Sequence, residues 1–307
     1  MSTAIKEDEV MLCASCGTAG SDDIKLKKCT ACYLVRYCSV KCQKDHRKQH
    51  KRECKKRAAE LRDEILFKQP ESSCYGDCPI CCLPLPIHPP KSVVMACCSK
   101  RICNGCDHTN QKQEIERRLQ HTCQFCRKAA PYTDEEHSEL RMKRIEVNDP
   151  VAMSEMGTER CHKGDYRSAF EHWTNAAVLG DVIANYQLSI MYGEGIGVEK
   201  DEKRGLHHAE KAAIGGHPLA RHRLGYLEEE NGRMDRAAKH YTIAANHGHD
   251  DSLERVKTLF KAGYVSKDEF AVALRGHKAA IDATKSPQRE EAAAFKKWQV
   301  ERERQGI

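Results

Sequence analysis

Residues 37–54 read "YCSVKCQKDHRKQHKREC", three cysteines and two histidines set among lysines and arginines, with Val40 the one aliphatic side chain. Such a stretch has no apolar core to offer, so thiols and imidazoles must hold its conformation. Working outward, "CASC" at 13–16 and "CTAC" at 29–32 precede it. The donors are then Cys13, Cys16, Cys29, Cys32, Cys38, Cys42, His50 and Cys54. Eight donors make two tetrahedral zinc sites, because each C-x2-C turn delivers two thiolates to one ion. Binding in small zinc peptides contributes about 10–16 kcal/mol, enough to stand in for a missing core.

A different partition takes Cys29, Cys32, His46 and His50 as a two-cysteine, two-histidine finger with a basic helix for a DNA groove. That choice puts Arg36 and Cys42 where such a finger needs apolar residues, and it strands Cys54. The partition through His50 and Cys54 leaves no orphan thiol in the segment and is preferred.

With its flanks "CASCG" and "CTACYLVRYC", the segment 13–54 resembles the MYND zinc finger. The resemblance implies interleaved sites, Cys13, Cys16, Cys38 and Cys42 for one zinc and Cys29, Cys32, His50 and Cys54 for the other. It also implies binding of short, often proline-containing peptides from partner proteins. Arg47 stands where many members carry Trp, so their peptide preference is not carried over.

A charged run, "KKRAAELRDEILFKQP", reads as a helical linker over 55–72. The cysteine pattern then restarts over 73–130 with "CPIC" at 78–81, "CC" at 97–98, "CNGC" at 103–106 and "CQFC" at 123–126. This order resembles a RING finger with cysteine at all eight places. By that resemblance Cys78, Cys81, Cys103 and Cys106 hold one zinc and Cys97, Cys98, Cys123 and Cys126 the other, making four ions in the chain. Cys74 and Cys82 are read as non-ligands. A RING has no catalytic side chain of its own; it docks a ubiquitin-charged conjugating enzyme and restrains the ubiquitin, which is catalysis by positioning. Ile80 and Arg127 fall where family members contact the enzyme and the ubiquitin. Leu119 stands where many ligases have Trp, and Gln124 replaces the usual proline.

The whole chain fits this frame. A length of 307 residues suggests two or three domains. Of 18 cysteines only Cys161 lies beyond Cys126, so the chain has two unlike halves. The start "MSTAIKEDEV" is polar and acidic and opens no secretory signal, and no stretch has the 18 or more apolar residues of a membrane span. An intracellular chain, cytoplasmic or nuclear, is therefore expected, with reduced thiols that bind zinc rather than form disulfides. Net charge is +6, and the basic run Lys41 to Arg57 suits nucleic acid, but a solvated zinc-finger face is the simpler reading.

The cysteine-poor half repeats over 148–250. Three units align on Ala152, Ala184 and Ala220, on the pairs Ala176-Ala177, Ala212-Ala213 and Ala244-Ala245, and on Gly180, Gly216 and Gly248. Apolar residues at helical spacing make each unit a helical hairpin. The middle unit, "YGEGIGVEKD", resembles the Sel-1-like repeat, a relative of the tetratricopeptide repeat, and departs from it at Gly205. The resemblance implies a right-handed solenoid with a concave face for extended segments of other proteins. Residues 251–284 read as its cap, 285–307 as a charged, exposed and partly mobile helix, and 1–12 as disordered. The expected fold is multidomain, two small zinc-stabilised modules followed by an all-α solenoid of helical hairpins. The expected function is a zinc-dependent protein-interaction protein acting as a RING-type ubiquitin ligase, with a non-catalytic adaptor as the alternative.

Overall fold

The computed structural model describes residues 11–87 and 91–305. The expected disorder of 1–12 therefore falls outside the described residues, apart from Met11 and Leu12. The chain forms two compact units that divide between Lys68 and Gln69.

In the first unit, β1 (Lys27–Lys28) pairs antiparallel with β2 (Arg36–Tyr37), and α1 (Val40–Asp45) and α2 (Arg47–Leu66) follow. Ser39 starts α1 by accepting a hydrogen bond from the Cys42 amide at 3.2 Å. The buried centre is Cys13, Cys29, Cys32 and Tyr37, with Leu26 and Val35 packed beside it. Four such residues cannot supply a conventional core. Helix α2 begins inside the finger and runs without a break through most of the segment read as a linker.

The second unit opens with a small module in which β3 (Ser92–Val94) pairs antiparallel with β4 (Arg101–Cys103), followed directly by α3 (Asn104–Glu116). Its buried centre is Cys78, Leu85, Ile102 and Cys103. Helix α4 (Asp134–Ile145) leads out of it, started by a reciprocal Thr133–Glu136 capping box.

Four helical hairpins come next: α5 (Pro150–His162) with α6 (Tyr166–Val178), α7 (Val182–Glu194) with α8 (Glu202–Ile214), α9 (Pro218–Glu230) with α10 (Met234–Ala245), and α11 (Asp250–Lys261) with α12 (Lys267–Ala283). Each junction between hairpins is built alike. The second alanine of the pair (Ala177, Ala213, Ala245) accepts from the amide of the left-handed glycine, and the first (Ala176, Ala212, Ala244) accepts from the amide of the residue after that glycine. The residue after that glycine then caps the next helix. Asp181 accepts from Ala184 N at 2.6 Å, and His217 Nδ1 from Ala220 N at 3.3 Å. His249 Nδ1 accepts from Ser252 N at 3.2 Å. One residue thus ends one helix and starts the next, and Asp149 caps α5 in the same way. Within the hairpins, Trp173 and Tyr241 are buried against Gly157 and Gly225, where a Cβ would come within 2.7 and 2.6 Å of the rings.

The small module is docked on this solenoid. Cys74 N donates to Gly216 O at 3.0 Å, and Gln69 bonds both Asn246 and His247. Arg101 pairs with Glu155 at 2.9 Å and lies over the Tyr75 ring, which packs toward His217. The last helix is α13 (Pro287–Gln305). Most of its residues are exposed, but Ala292 is buried and its first half packs on α3. The reason is local charge and shape. Lys112 meets Glu291 at 2.8 Å, and the ring of His108 lies 4.8 Å from that of Phe295.

Candidate metal centres

Among the described residues, sixteen side chains gather into four groups, and in each group the four ligand atoms lie within 4.8 Å of one another. The finger brings together Cys13, Cys16, Cys38 and Cys42, and separately Cys29, Cys32, His50 and Cys54. The small module brings together Cys78, Cys81, Cys103 and Cys106, and separately Cys97, Cys98, Cys123 and Cys126. In both modules the groups interleave along the chain, so each closes a loop through the other.

The spacing suits a tetrahedral ion. Bonds of about 2.3 Å from zinc to sulfur place neighbouring sulfurs about 3.8 Å apart. Cys78 and Cys106, Cys81 and Cys103, and Cys29 and Cys54 each stand 3.8 Å apart. Cys98 and Cys123 are 3.7 Å apart, and Cys16 and Cys38 3.6 Å. A disulfide needs about 2.05 Å, and every cysteine is free. His50 turns Nε2 toward Cys32 Sγ at 3.2 Å, while His46 stacks beside it and bonds Tyr37 Oη through Nδ1. His46 is thus engaged outside the group, unlike the arrangement of a two-cysteine, two-histidine finger.

One local device recurs. In five pairs the residue after the second cysteine has a left-handed backbone: Gly17, Tyr33, Cys82, Ser99 and Arg127. In four of them the amide closes the turn onto the carbonyl of the first cysteine, as Cys82 N does onto Cys78 O at 2.8 Å and Arg127 N onto Cys123 O at 3.0 Å. Ser99 N closes onto Met95 O instead, because Cys97 and Cys98 are adjacent. Cys82 therefore shapes a turn and lies outside all four groups. The pair Cys103–Cys106 is built differently, on the first turn of α3, where Cys103 Sγ accepts from Cys106 N at 3.4 Å.

These turns aim amides at sulfur, and that sets the charge. The amides of Cys16 and Cys38 bring the Cys13 thiol down to about 6. Burial pushes Cys78 up, yet the amides of Cys81, Cys103 and Ile80 outweigh it and bring it to about 7. Burial and neighbouring sulfurs hold Cys97 and Cys106 well above the ordinary thiol range. Each group so contains thiols that amides ionise and thiols that only a bound cation would ionise. That donor set, soft and four-fold, is the chemistry of zinc.

The surface residues are placed unequally. Ile80 is exposed in the first turn of the small module. Leu119 and Arg127 line one shallow hollow of about 500 Å³ with Asn110, Gln113 and Gln120, and Ile80 is not among its walls. Glu114, in the same wall, holds the chain leaving α3, facing His121 Nδ1 at 2.5 Å and accepting from Thr122 N at 3.2 Å. The residues that dock the module, Tyr75 and Arg101, went unread in the sequence; their only signal was an aromatic and a cation among cysteines.

Residues 13–54 match the MYND finger, and 150–181, 182–217 and 218–249 match the Sel1 repeat. The chain carries both, and both are protein-interaction modules. It is 31% identical over 109 residues to chitin synthase regulatory factor 4 of Schizosaccharomyces pombe, a match that spans 35% of this chain and 17% of that protein. Among solved structures it is similar to a Sel1 repeat protein from Oxalobacter formigenes, with 27% identity, 49% of this chain and 65% of that one covered, and a TM-score of 0.42. It is also similar to c5321, a protective antigen of uropathogenic Escherichia coli with an SLR fold, with 21% identity, 54% and 36% covered, and a TM-score of 0.41. Among the described residues no helix is long and apolar enough to cross a membrane.

Proposed function

We propose that the chain is a zinc-dependent interaction protein that binds a client through its MYND finger or its repeats and activates a ubiquitin-conjugating enzyme through its second cysteine module. The observation that carries this reading is the pair of interleaved four-cysteine groups with Ile80 left exposed between two ligands of the first. An exposed aliphatic side chain on a rigid metal-held turn is a docking point, because the ion removes the entropy that a flexible loop would lose on binding. Leu119 and Arg127 would extend that docking surface, Arg127 from a backbone conformation the turn imposes. Four zinc ions per chain are expected in the native mass.

The test is discharge of ubiquitin from a panel of charged conjugating enzymes to free lysine. The native chain should accelerate it, and Ile80→Ala and Arg127→Ala should each abolish most of the gain while leaving zinc content unchanged. No acceleration from a fully loaded chain would sink the ligase reading. The adaptor would then stand, and one observation favours it: Tyr75 and Arg101 spend the module's strand side on docking to the solenoid. A third possibility, nucleic-acid binding by Lys41 to Arg57, requires steep salt dependence in a duplex titration; a flat signal removes it.

A further inference from the structure

Arg289, in the first turn of α13, reaches the metal group of Cys78, Cys81, Cys103 and Cys106. Its Nη2 donates to Cys81 Sγ at 3.4 Å and to Leu83 O at 3.1 Å. Its Nη1 donates to Pro84 O at 2.7 Å and to Thr284 O at 2.8 Å. One guanidinium thus joins a ligand sulfur, the turn that follows it and the loop that starts α13. The backbones meet as well. A Cβ on Gly105, which lies between Cys103 and Cys106, would come within 2.7 Å of Arg289 N and 2.9 Å of its Cα. Glycine is what lets the first turn of α13 sit on the turn of α3 that presents two ligands.

Charge explains why an arginine belongs there. Four thiolates around a dication leave a net charge of −2 in a partly buried site, and hydrogen bonds to the sulfurs are how proteins stabilise that excess. A lysine would give one point of charge, whereas the planar fork of arginine serves sulfur and carbonyl oxygens together. Farther along α13 the contacts are those expected of an exposed helix, the Lys112–Glu291 pair and the His108–Phe295 rings. Surface pairs of this kind contribute little. Among the contacts that hold α13 on α3, those of Arg289 in its first turn are the ones that reach the metal group.

We propose that Arg289 is a positioning residue for this metal site, and that the loaded site latches α13 onto α3, so that loss of the ion frees the C-terminal helix. The coupling is reciprocal: whatever pulls α13 away weakens the site, and whatever empties the site frees the helix. Release would uncover Gly105 and His108 on α3 and the buried Ala292 on α13, turning metal occupancy into a change of surface. The inference rests on reading the group as a zinc site and is independent of ubiquitin transfer.

The test uses the intact, zinc-loaded chain, with ions counted by native mass, release followed with 4-(2-pyridylazo)resorcinol, and deuterium uptake followed over 288–305. The native chain should protect these amides, and chelation should remove that protection. Arg289→Ala should release one ion roughly tenfold faster, the low end of what loss of an outer hydrogen bond to a ligand does, and should loosen α13 even when loaded. Arg289→Lys should fall between the two. Gly105→Ala provides a second route should Arg289→Ala not fold, since it pushes α13 off while sparing every thiol and the guanidinium. Unchanged release together with a protected α13 in the variants, at full ion count, overturns the latch; so does protection that survives chelation. An ion count showing the group of Cys78 empty in the native chain overturns the zinc reading and the latch with it.

Discussion

Cys78 and Tyr241 are both wholly inaccessible, yet they hold their regions by different chemistry. Around Cys78 the buried residues are few, and what stands close together is sulfur. Around Tyr241 the buried residues are Ala237, Val256, Leu259 and Ala273, repeated packing of the kind a solenoid makes at each hairpin. The tyrosine adds a hydrogen bond from its hydroxyl to Glu229 at 2.8 Å. The first region spends its burial on ligands and must get its stability from an ion; the second gets it from area removed from water. What the difference teaches is that stability in this chain is divided by cause as well as by place, and the two causes can be removed one at a time.

Chelation makes the largest break. With about 10–16 kcal/mol at stake for a structural zinc, a strong chelator at neutral pH should abolish exchange protection over 13–54 and 78–127 while α5 to α12 stay protected. Joint opening of the repeats would show that the solenoid leans on the metal modules. The reverse cut is Tyr241→Ala, which should cost the solenoid about 3–5 kcal/mol. Its urea midpoint should fall while the zinc count holds; a lost ion would mean the two regions are coupled through the packing.

Acid probes the solenoid by a third means. Burial, aided by the charge of His249, pushes His217 down to about 3. The unfolded imidazole takes up its proton near 6.5, so stability present above that pH is lost as the pH falls toward the folded value. At pH 5 the loss from this one group is about 2 kcal/mol. Protonation would also remove the lone pair with which Nδ1 caps α9. His217→Asn keeps an acceptor and titrates nowhere in this range, so its stability should decline less steeply between pH 6.5 and pH 5. Parallel curves for the two chains would sink this account. The smallest effect is expected at Cys82→Ser, which should leave the zinc count unchanged and stability within about 0.5 kcal/mol, because Cys82 shapes a turn and lies outside the four metal groups. Loss of an ion there would redraw the first group of the small module.

The legible parts were the ones whose cause is local. A C-x2-C pair turns within five residues, so Cys13, Cys29, Cys78 and Cys123 mark their turns on sight, although only Gly17 among the residues closing them advertises a left-handed backbone. The hairpins were legible through their alanine pairs and glycines, and the capping boxes at Ser266 and Thr133 obey a three-residue rule. The double duty of Asp181, His217 and His249 was also present in the pattern, directly after each glycine, but Asp and His share no letter and the column does not stand out.

The chain's own order determined the zinc-binding chemistry, the helical repeat and its period, because thiol spacing and apolar periodicity act over a few residues and need nothing distant. Tertiary structure alone decided that Arg101 meets Glu155, that Cys74 rests on Gly216, and that Arg289 reaches back to Cys81. Those contacts join residues 54 to 208 positions apart. No short-range rule selects them; they exist because two finished surfaces fit, and such a fit depends on the shape of both surfaces at once.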